Sequence, residues 1–102
     1  MTKDELMRIQ ENTMLTIDQN SSIEKMYITV KSVRYRNGKF YIKDKTVHKF
    51  TTSNQLDCYH FPKPYIFTEK DATCKISLTD KKTEEKILKA WAKNNNQIFI
   101  FN

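Results

Sequence analysis

The chain has 102 residues, a net charge of +6 and a pI near 9.3. A hydrophobic share of 38%, with 12% aromatic residues, excludes a disordered chain, because such chains bury too little apolar surface to offset the entropy of ordering. The single glycine excludes a glycine-rich phosphate-binding loop. The length is typical of one domain, so we expect a single domain over residues 1–102.

The chain carries no run of about 18 apolar residues, which predicts no membrane span. Residues 1–6 lack the apolar centre of a secretory signal, and we expect a cytoplasmic location with reduced thiols. The candidate zinc ligands lack the closely spaced pairs of zinc sites, so we expect no metal and no cofactor. These candidates are Cys58, His60, Cys74 and His48. We interpret both cysteines as free thiols rather than as a disulfide.

The N-terminal segment begins with Thr2 and Glu5 in the spacing of a helix capping box. Apolar residues near helical spacing follow, which predicts an amphipathic helix over residues 3–14. The polar stretch over residues 18–22 then predicts a loop.

A hairpin centred on Asn37-Gly38 is the strongest local prediction, because this dipeptide favours the tight turn that joins two strands. From Met26 onward the apolar residues follow the period of a strand. Val30 and Val33 are both apolar but oddly spaced, which predicts a bulge or bend near residues 31–32. The expected cross-strand pairs are Val33–Ile42, Arg34–Tyr41 and Tyr35–Phe40.

The segments that follow carry weaker patterns. Two prolines within residues 56–67 favour an edge strand or a loop there, because proline lacks the donor of a strand ladder. The other expected segments are a second turn at 44–45, a third strand at 46–51, a loop at 52–55 and a strand at 74–78.

Asp80 is the expected N-cap of a helix that reaches about Lys93. Its apolar stripe is predicted to contain Ile87, Leu88 and Trp91. Four lysines at helical spacing occupy the opposite face: Lys82, Lys86, Lys89 and Lys93. Residues 94–96 are three asparagines that predict the end of the helix, and residues 97–101 predict a final strand, buried on both faces or used in a homodimer.

Together these elements predict a small α+β fold. It consists of an N-terminal helix, an antiparallel β-sheet built on the central hairpin, and a C-terminal helix followed by a final strand. The expected core joins one face of the hairpin to both helices. Its members are Val33, Tyr35, Phe40, Ile42, Leu6, Ile9, Ile87, Leu88 and Trp91.

The basic segment over residues 25–49 suggests the function, since it holds eight lysines and arginines and one acid. Cations neutralise phosphates, and an aromatic ring among them stacks on an unpaired base. We therefore favour a non-enzymatic module that contacts RNA or single-stranded DNA, with the four helix lysines as a secondary basic face. The contact residues are expected to be Arg34, Arg36, Lys39, Tyr41 and Lys43.

Three alternatives stay open at this point. The cations can serve solubility alone, as on an ordinary hairpin surface. A small regulatory or inhibitory protein, encoded by a phage or mobile element, would dock on an acidic protein surface. A metal-independent ribonuclease would use His48 or His60 for proton transfer. Cys58 and His60 lie roughly 6–7 Å apart on a strand, too far for a nucleophile–base pair, so no catalytic residue is assigned.

Overall fold

The structure, a computed structural model, describes residues 1–18, residues 25–93 and the backbone of residues 99–100. These residues form three helices and seven strands, which confirms the predicted α+β class. In chain order the elements are α1 (Lys3–Met7), β1 (Met14–Asp18), β2 (Lys25–Arg36), β3 (Lys39–Phe50), β4 (Leu56–His60), β5 (Tyr65–Thr68), α2 (Glu69–Lys75), β6 (Ile76–Leu78), α3 (Lys81–Lys93) and β7 (Phe99–Ile100).

One sheet contains all seven described strands, in the order β6-β1-β2-β3-β4-β7, with β5 beside β3. Every pairing is antiparallel except that of β7 with β4. Strand β3 changes partner on its outer side: residues 47–50 pair with β4, whereas residues 39–42 pair with β5. A gap therefore opens beside residues 43–46 of β3, and the connection between β4 and β5 crosses it.

The hairpin of β2 and β3 turns at Asn37 and Gly38, which both have positive φ angles, 52° and 76°. Positive φ at both positions belongs to the turn whose twist matches that of the flanking strands. The pairs Val33–Ile42, Arg34–Tyr41 and Tyr35–Phe40 form as predicted.

Two register shifts interrupt this hairpin halfway along its length. Lys31 is the extra residue in β2, which confirms the predicted bulge, and Lys45 is a second extra residue in β3. Because one shift lies in each strand, the register is restored beyond them. In each strand the extra residue shifts the alternation of side chains by one position. Val30 and Val33 therefore face the same core, as do Ile42 and Val47.

The two faces of the sheet carry separate hydrophobic cores. Helices α1 and α2 cover the first face, where Leu6 and Ala72 pack with buried residues of β1 to β6. Helix α3 covers the second face, where Ile87 packs with Tyr27 and Cys58. The prediction that α3 packs on the apolar side of the hairpin tip is wrong. The helix instead packs on the second face, against the cross-strand row Tyr27–His48–Cys58.

The apolar side of α3 also differs from the prediction. Ile87 is fully buried, and Ala90 and Trp91 pack against the same cluster. Leu88 is 45% exposed and does not belong to the stripe. The N-cap prediction is confirmed, since Asp80 Oδ1 accepts a hydrogen bond from the Thr83 amide at 2.8 Å.

The predicted N-terminal helix is too long. The capping box of Thr2 and Glu5 forms, but α1 ends at Met7. Asn12 has a φ of 75°, which breaks the helical path, and Met14 begins a strand that the sequence analysis missed. This strand forms because its apolar side chains become buried beside β2.

Two further expectations are corrected. Residues 44–45 form no turn, because Lys45 is a bulge within a continuous β3, and the expected strand at 46–51 is the second half of β3. The expected strand at 74–78 begins only at Ile76, because residues 69–75 form α2. The loop at 52–55 and the prolines between β4 and β5 agree with the prediction.

Several expectations concern residues outside the described part of the chain. These are most of the loop at 18–22, the helix end at 94–96, and the side chains of the final strand. A homodimer through that strand stays a prediction.

The paired bulges lead to a test by deletion. Lys31 and Lys45 are the unpaired residues of the two bulges, and the pairs on both sides of each are in register without it. Removing either residue alone therefore keeps the partners and the face of Met26, Ile28 and Val30, because the other bulge still accommodates the extra residue of its own strand. Removing both residues gives a regular ladder with the same apolar face.

We therefore expect both single deletions and the double deletion to fold and to unfold cooperatively, as measured by urea unfolding. Lys31→Ala and Lys45→Ala are the controls, because they keep the backbone residue and remove only the charge and the Lys45–Glu11 ion pair of 2.9 Å. Loss of cooperative unfolding in both single deletions, with the lysine-to-alanine controls folded, would contradict this account.

Candidate nucleic-acid interface

The face of the hairpin that carries its cations lies open next to the turn. Three rows of side chains cross it from β2 through β3, two of them continuing onto β5, as the register of the two ladders fixes. Neighbouring rows lie about 7 Å apart, twice the rise of a strand residue. We call this surface the cationic platform. Its rows are Arg36–Lys39–Thr68, Arg34–Tyr41–Ile66 and Ser32–Lys43.

The charge of the cationic platform has one sign. All four of its basic side chains are exposed: Arg34, Arg36, Lys39 and Lys43. Within β2, β3 and β5 as the structure describes them, the side chains that share this face include no carboxylate. The potentials of the four cations therefore add up and attract an anionic ligand.

Tyr41 stands in the middle row of the platform and is half-buried. Its neighbours across the strands are Arg34 on one side and Ile66, which is 53% exposed, on the other. Ile66 was not among the predicted contact residues, since the pairing of β5 with the tip was not foreseen. The middle row thus combines a cation, an aromatic ring and an aliphatic side chain on one surface.

A row of aromatic rings supports the platform from its buried side. Phe40 lies between Tyr35 and Phe67, with ring centroids 4.9 Å and 5.2 Å away. The amino group of Lys3 lies 3.9 Å from the centre of the Tyr35 ring and closes this row. The hairpin tip is therefore a packed part of the sheet rather than a loose arm.

The lysine face of α3 lies on the same side of the sheet as the platform. Tyr27 faces α3, and after the shift at Lys31 the side chain of Arg34 takes the face of Tyr27. The four lysines of the secondary basic face are exposed, as predicted: Lys82, Lys86, Lys89 and Lys93. Lys86 also lies 4.8 Å from the ring centre of Phe50, which holds it over the sheet.

His48 lies under α3 and is fully buried, so it does not contact a ligand at the surface. Its ring meets the Trp91 ring edge-on at 5.0 Å, and within the described part of the chain neither ring nitrogen finds a hydrogen-bond partner. Burial lowers the pKa of His48 to about 4 and raises that of Cys58 to about 11. Both groups are therefore neutral at pH 7, and Cys58 and Cys74 are free thiols.

His60 has a different environment, which the sequence analysis missed. Its Nδ1 lies 3.1 Å from Oδ2 of Asp44, and Asp44 Oδ1 accepts a hydrogen bond from the Phe61 amide at 3.3 Å. Asp44 and His60 are 16 residues apart, and only the gap beside β3 brings them together. This pair places two titratable side chains in contact beside the third row of the platform.

Neither a metal centre nor a membrane-crossing helix is found in residues 1–18 and 25–93: no three histidine, cysteine or acidic side chains come together, and no helix is sufficiently long and apolar. Comparison of the chain with protein-family models, curated proteins and solved structures found no match.

The buried His48 makes the protein less stable in mild acid. An unfolded imidazole titrates near pH 6.5, whereas the folded pKa is about 4, so the unfolded chain binds the proton first as the pH falls. The stability that depends on neutral His48 is fully present above about pH 6.5, and about 3 kcal/mol of it is lost between there and pH 4. We expect His48→Leu to flatten this decline, measured by urea unfolding at a series of pH values.

The control is His60→Gln, which changes the other histidine and leaves His48 in place. It should keep most of the acid sensitivity of the wild type. An equal pH dependence in the wild type and His48→Leu would show that other groups cause the loss of stability.

Proposed function

We propose that this protein binds single-stranded nucleic acid, either RNA or single-stranded DNA, on its cationic platform. The observation that carries the proposal is the open middle row, in which Tyr41 lies between the cation of Arg34 and the exposed Ile66. A positive surface with an accessible aromatic ring combines the two contacts that single strands offer, phosphates and unpaired base faces.

The shape of the site favours a single strand over a duplex. The platform is a sheet surface three strands wide, about 10 Å from β2 to β5 at the usual strand spacing. Proteins that read single strands often stack bases on the aromatic side chains of an exposed sheet. A paired duplex conceals the base faces that Tyr41 would contact, so it would use only the cations.

The lysines of α3 extend the proposed site. They stand on the same side of the sheet as the platform, so a strand that leaves the platform toward α3 stays near positive charge. Their long side chains would contact phosphates without reading bases. We therefore expect the platform to supply stacking and most of the affinity, and α3 to add a salt-sensitive contribution.

The charge contribution is tested with the double variant Arg34→Ala/Arg36→Ala. Losing two phosphate contacts should weaken binding to a labelled oligonucleotide and lower the log–log salt slope by about 1.4, since each contact on a single strand contributes about 0.7. The measurement is fluorescence anisotropy over a series of salt concentrations.

A matched control removes two exposed cations from the other face of the sheet, Arg8→Ala in the segment after α1 and Lys70→Ala in α2. Both double variants have the same net charge, so a difference between them reports position rather than total charge. A flat salt response of the wild type, together with a stoichiometric protein partner that survives nuclease treatment, would favour docking on a protein instead.

The stacking contribution is tested at Tyr41. Tyr41→Ala should cost about 1–3 kcal/mol of binding free energy for one stacked base, whereas Tyr41→Phe should bind within a few-fold of the wild type. Because Tyr41 is half-buried, the unfolding curves of both variants are compared first. Equal affinities for Tyr41→Ala and Tyr41→Phe, with both proteins folded, would argue against stacking.

A further inference from the structure

A cavity of about 220 Å³ lies in the gap where β3 passes from β4 to β5. It exists because residues 43–46 of β3 lie between the segment that pairs with β4 and the segment that pairs with β5. The connection between β4 and β5 passes beside these residues without forming a strand. It is small beside the roughly 300–1,000 Å³ of pockets that hold drug-sized ligands. Its lining residues are Lys43, Asp44, His60, Phe61, Pro62, Lys63 and Pro64.

The imidazole of His60 is held in a fixed orientation at this cavity. An ionised carboxylate only accepts hydrogen bonds, so the contact between Asp44 Oδ2 and His60 Nδ1 places the proton on Nδ1. The other Asp44 oxygen accepts from the Phe61 amide, and only 4% of the Asp44 side chain is exposed. The His60 side chain is 40% exposed, which leaves Nε2 as its available nitrogen.

Two cations and an apolar wall complete the cavity. Lys43 and Lys63 are both exposed and line it from the β3 side and the connection side. The Phe61 ring forms part of the wall, and the rings of Tyr59 and Tyr65 hold it at centroid distances of 5.8 Å and 5.6 Å. The single carboxylate is buried behind the imidazole, with both oxygens already engaged by hydrogen bonds.

We propose that this cavity binds a phosphate group of the nucleic-acid strand. Ammonium groups donate charge-assisted hydrogen bonds, which are the strong contacts to phosphate, and His60 Nε2 adds another when the ring takes up a second proton with the bound phosphate. The small volume of the cavity suits a single phosphate group rather than a larger ligand. Asp44 acts as a positioning residue, because its oxygens contact His60 and the Phe61 amide rather than the phosphate.

Lys43 links the cavity to the platform, because it belongs to the third platform row and also lines the cavity. A strand on the platform can therefore place its next phosphate, or its terminal phosphate, between Lys43 and Lys63. This inference rests on the proposed function, and it adds a second anion site at one end of the platform.

The first test uses inorganic phosphate alone and follows the ring signals of His60 by NMR. We expect phosphate to shift the His60 signals and to leave those of the buried His48 in place, with chloride at equal ionic strength as the control. This measurement needs no oligonucleotide, so it stands even if the platform binds no nucleic acid.

The second test compares oligonucleotides with and without a 5′-phosphate on His60→Gln and Lys63→Ala. Loss of one charged hydrogen bond should weaken binding about tenfold. Lys63→Arg should recover most of it, and Lys70→Ala on the other face should have little effect. A loss confined to phosphorylated strands assigns the cavity to a terminal phosphate, and an equal loss for both strands assigns it to a backbone phosphate.

The inference and the proposed function fail in different ways. If the wild type binds neither oligonucleotide, the proposed function is wrong. If it binds both, but His60 does not respond to phosphate and the cavity variants bind like the wild type, the phosphate site is overturned and the platform stands.

Discussion

The organisation of this protein depends on two bulges that face each other across one hairpin. If Lys31 and Lys45 took ordinary places in the ladder, strand alternation would put Val30 on the same face as Arg34, and Val47 on the opposite face to Ile42. The core could not then bury Val30 while Arg34 faced solvent, because residues an even number of positions apart in a regular strand share one face. One extra residue in each strand, Lys31 and Lys45, reverses both strands at the same level and keeps their register.

This reversal decides what each face of the sheet carries. Near the base of the hairpin, the second face holds Tyr27 and His48 and is covered by α3. Near the tip, the same face holds Arg34 and Tyr41 and lies open. One continuous face is thus apolar where a helix covers it and cationic where solvent reaches it. The platform and the lysines of α3 share a side of the molecule for this reason.

The hairpin was readable from the sequence because its signals are local. The turn dipeptide, the cross-strand pairs and the bulge at Lys31 all follow from spacing within a few residues. The bulge at Lys45 has the same signature, oddly spaced Ile42 and Val47, but the dipeptide Asp44-Lys45 also fits a turn. The short α2 carries a local start signal, Thr68 as N-cap with acidic residues in the first turn, but its seven residues also depend on burial of Ala72. The cavity was missed because it needs the partner change of β3.

The position of the Asp44 side chain connects the fold to the proposed site. It is the only acid within residues 25–49, and it stands in sequence between two lysines. On an ordinary exposed strand its charge would partly cancel theirs. Here its carboxylate turns into the gap beside β3, where the Phe61 amide and His60 engage both oxygens. The side chains of the platform face are consequently all positive or neutral, and the gap that holds the carboxylate is the same gap that forms the proposed phosphate cavity.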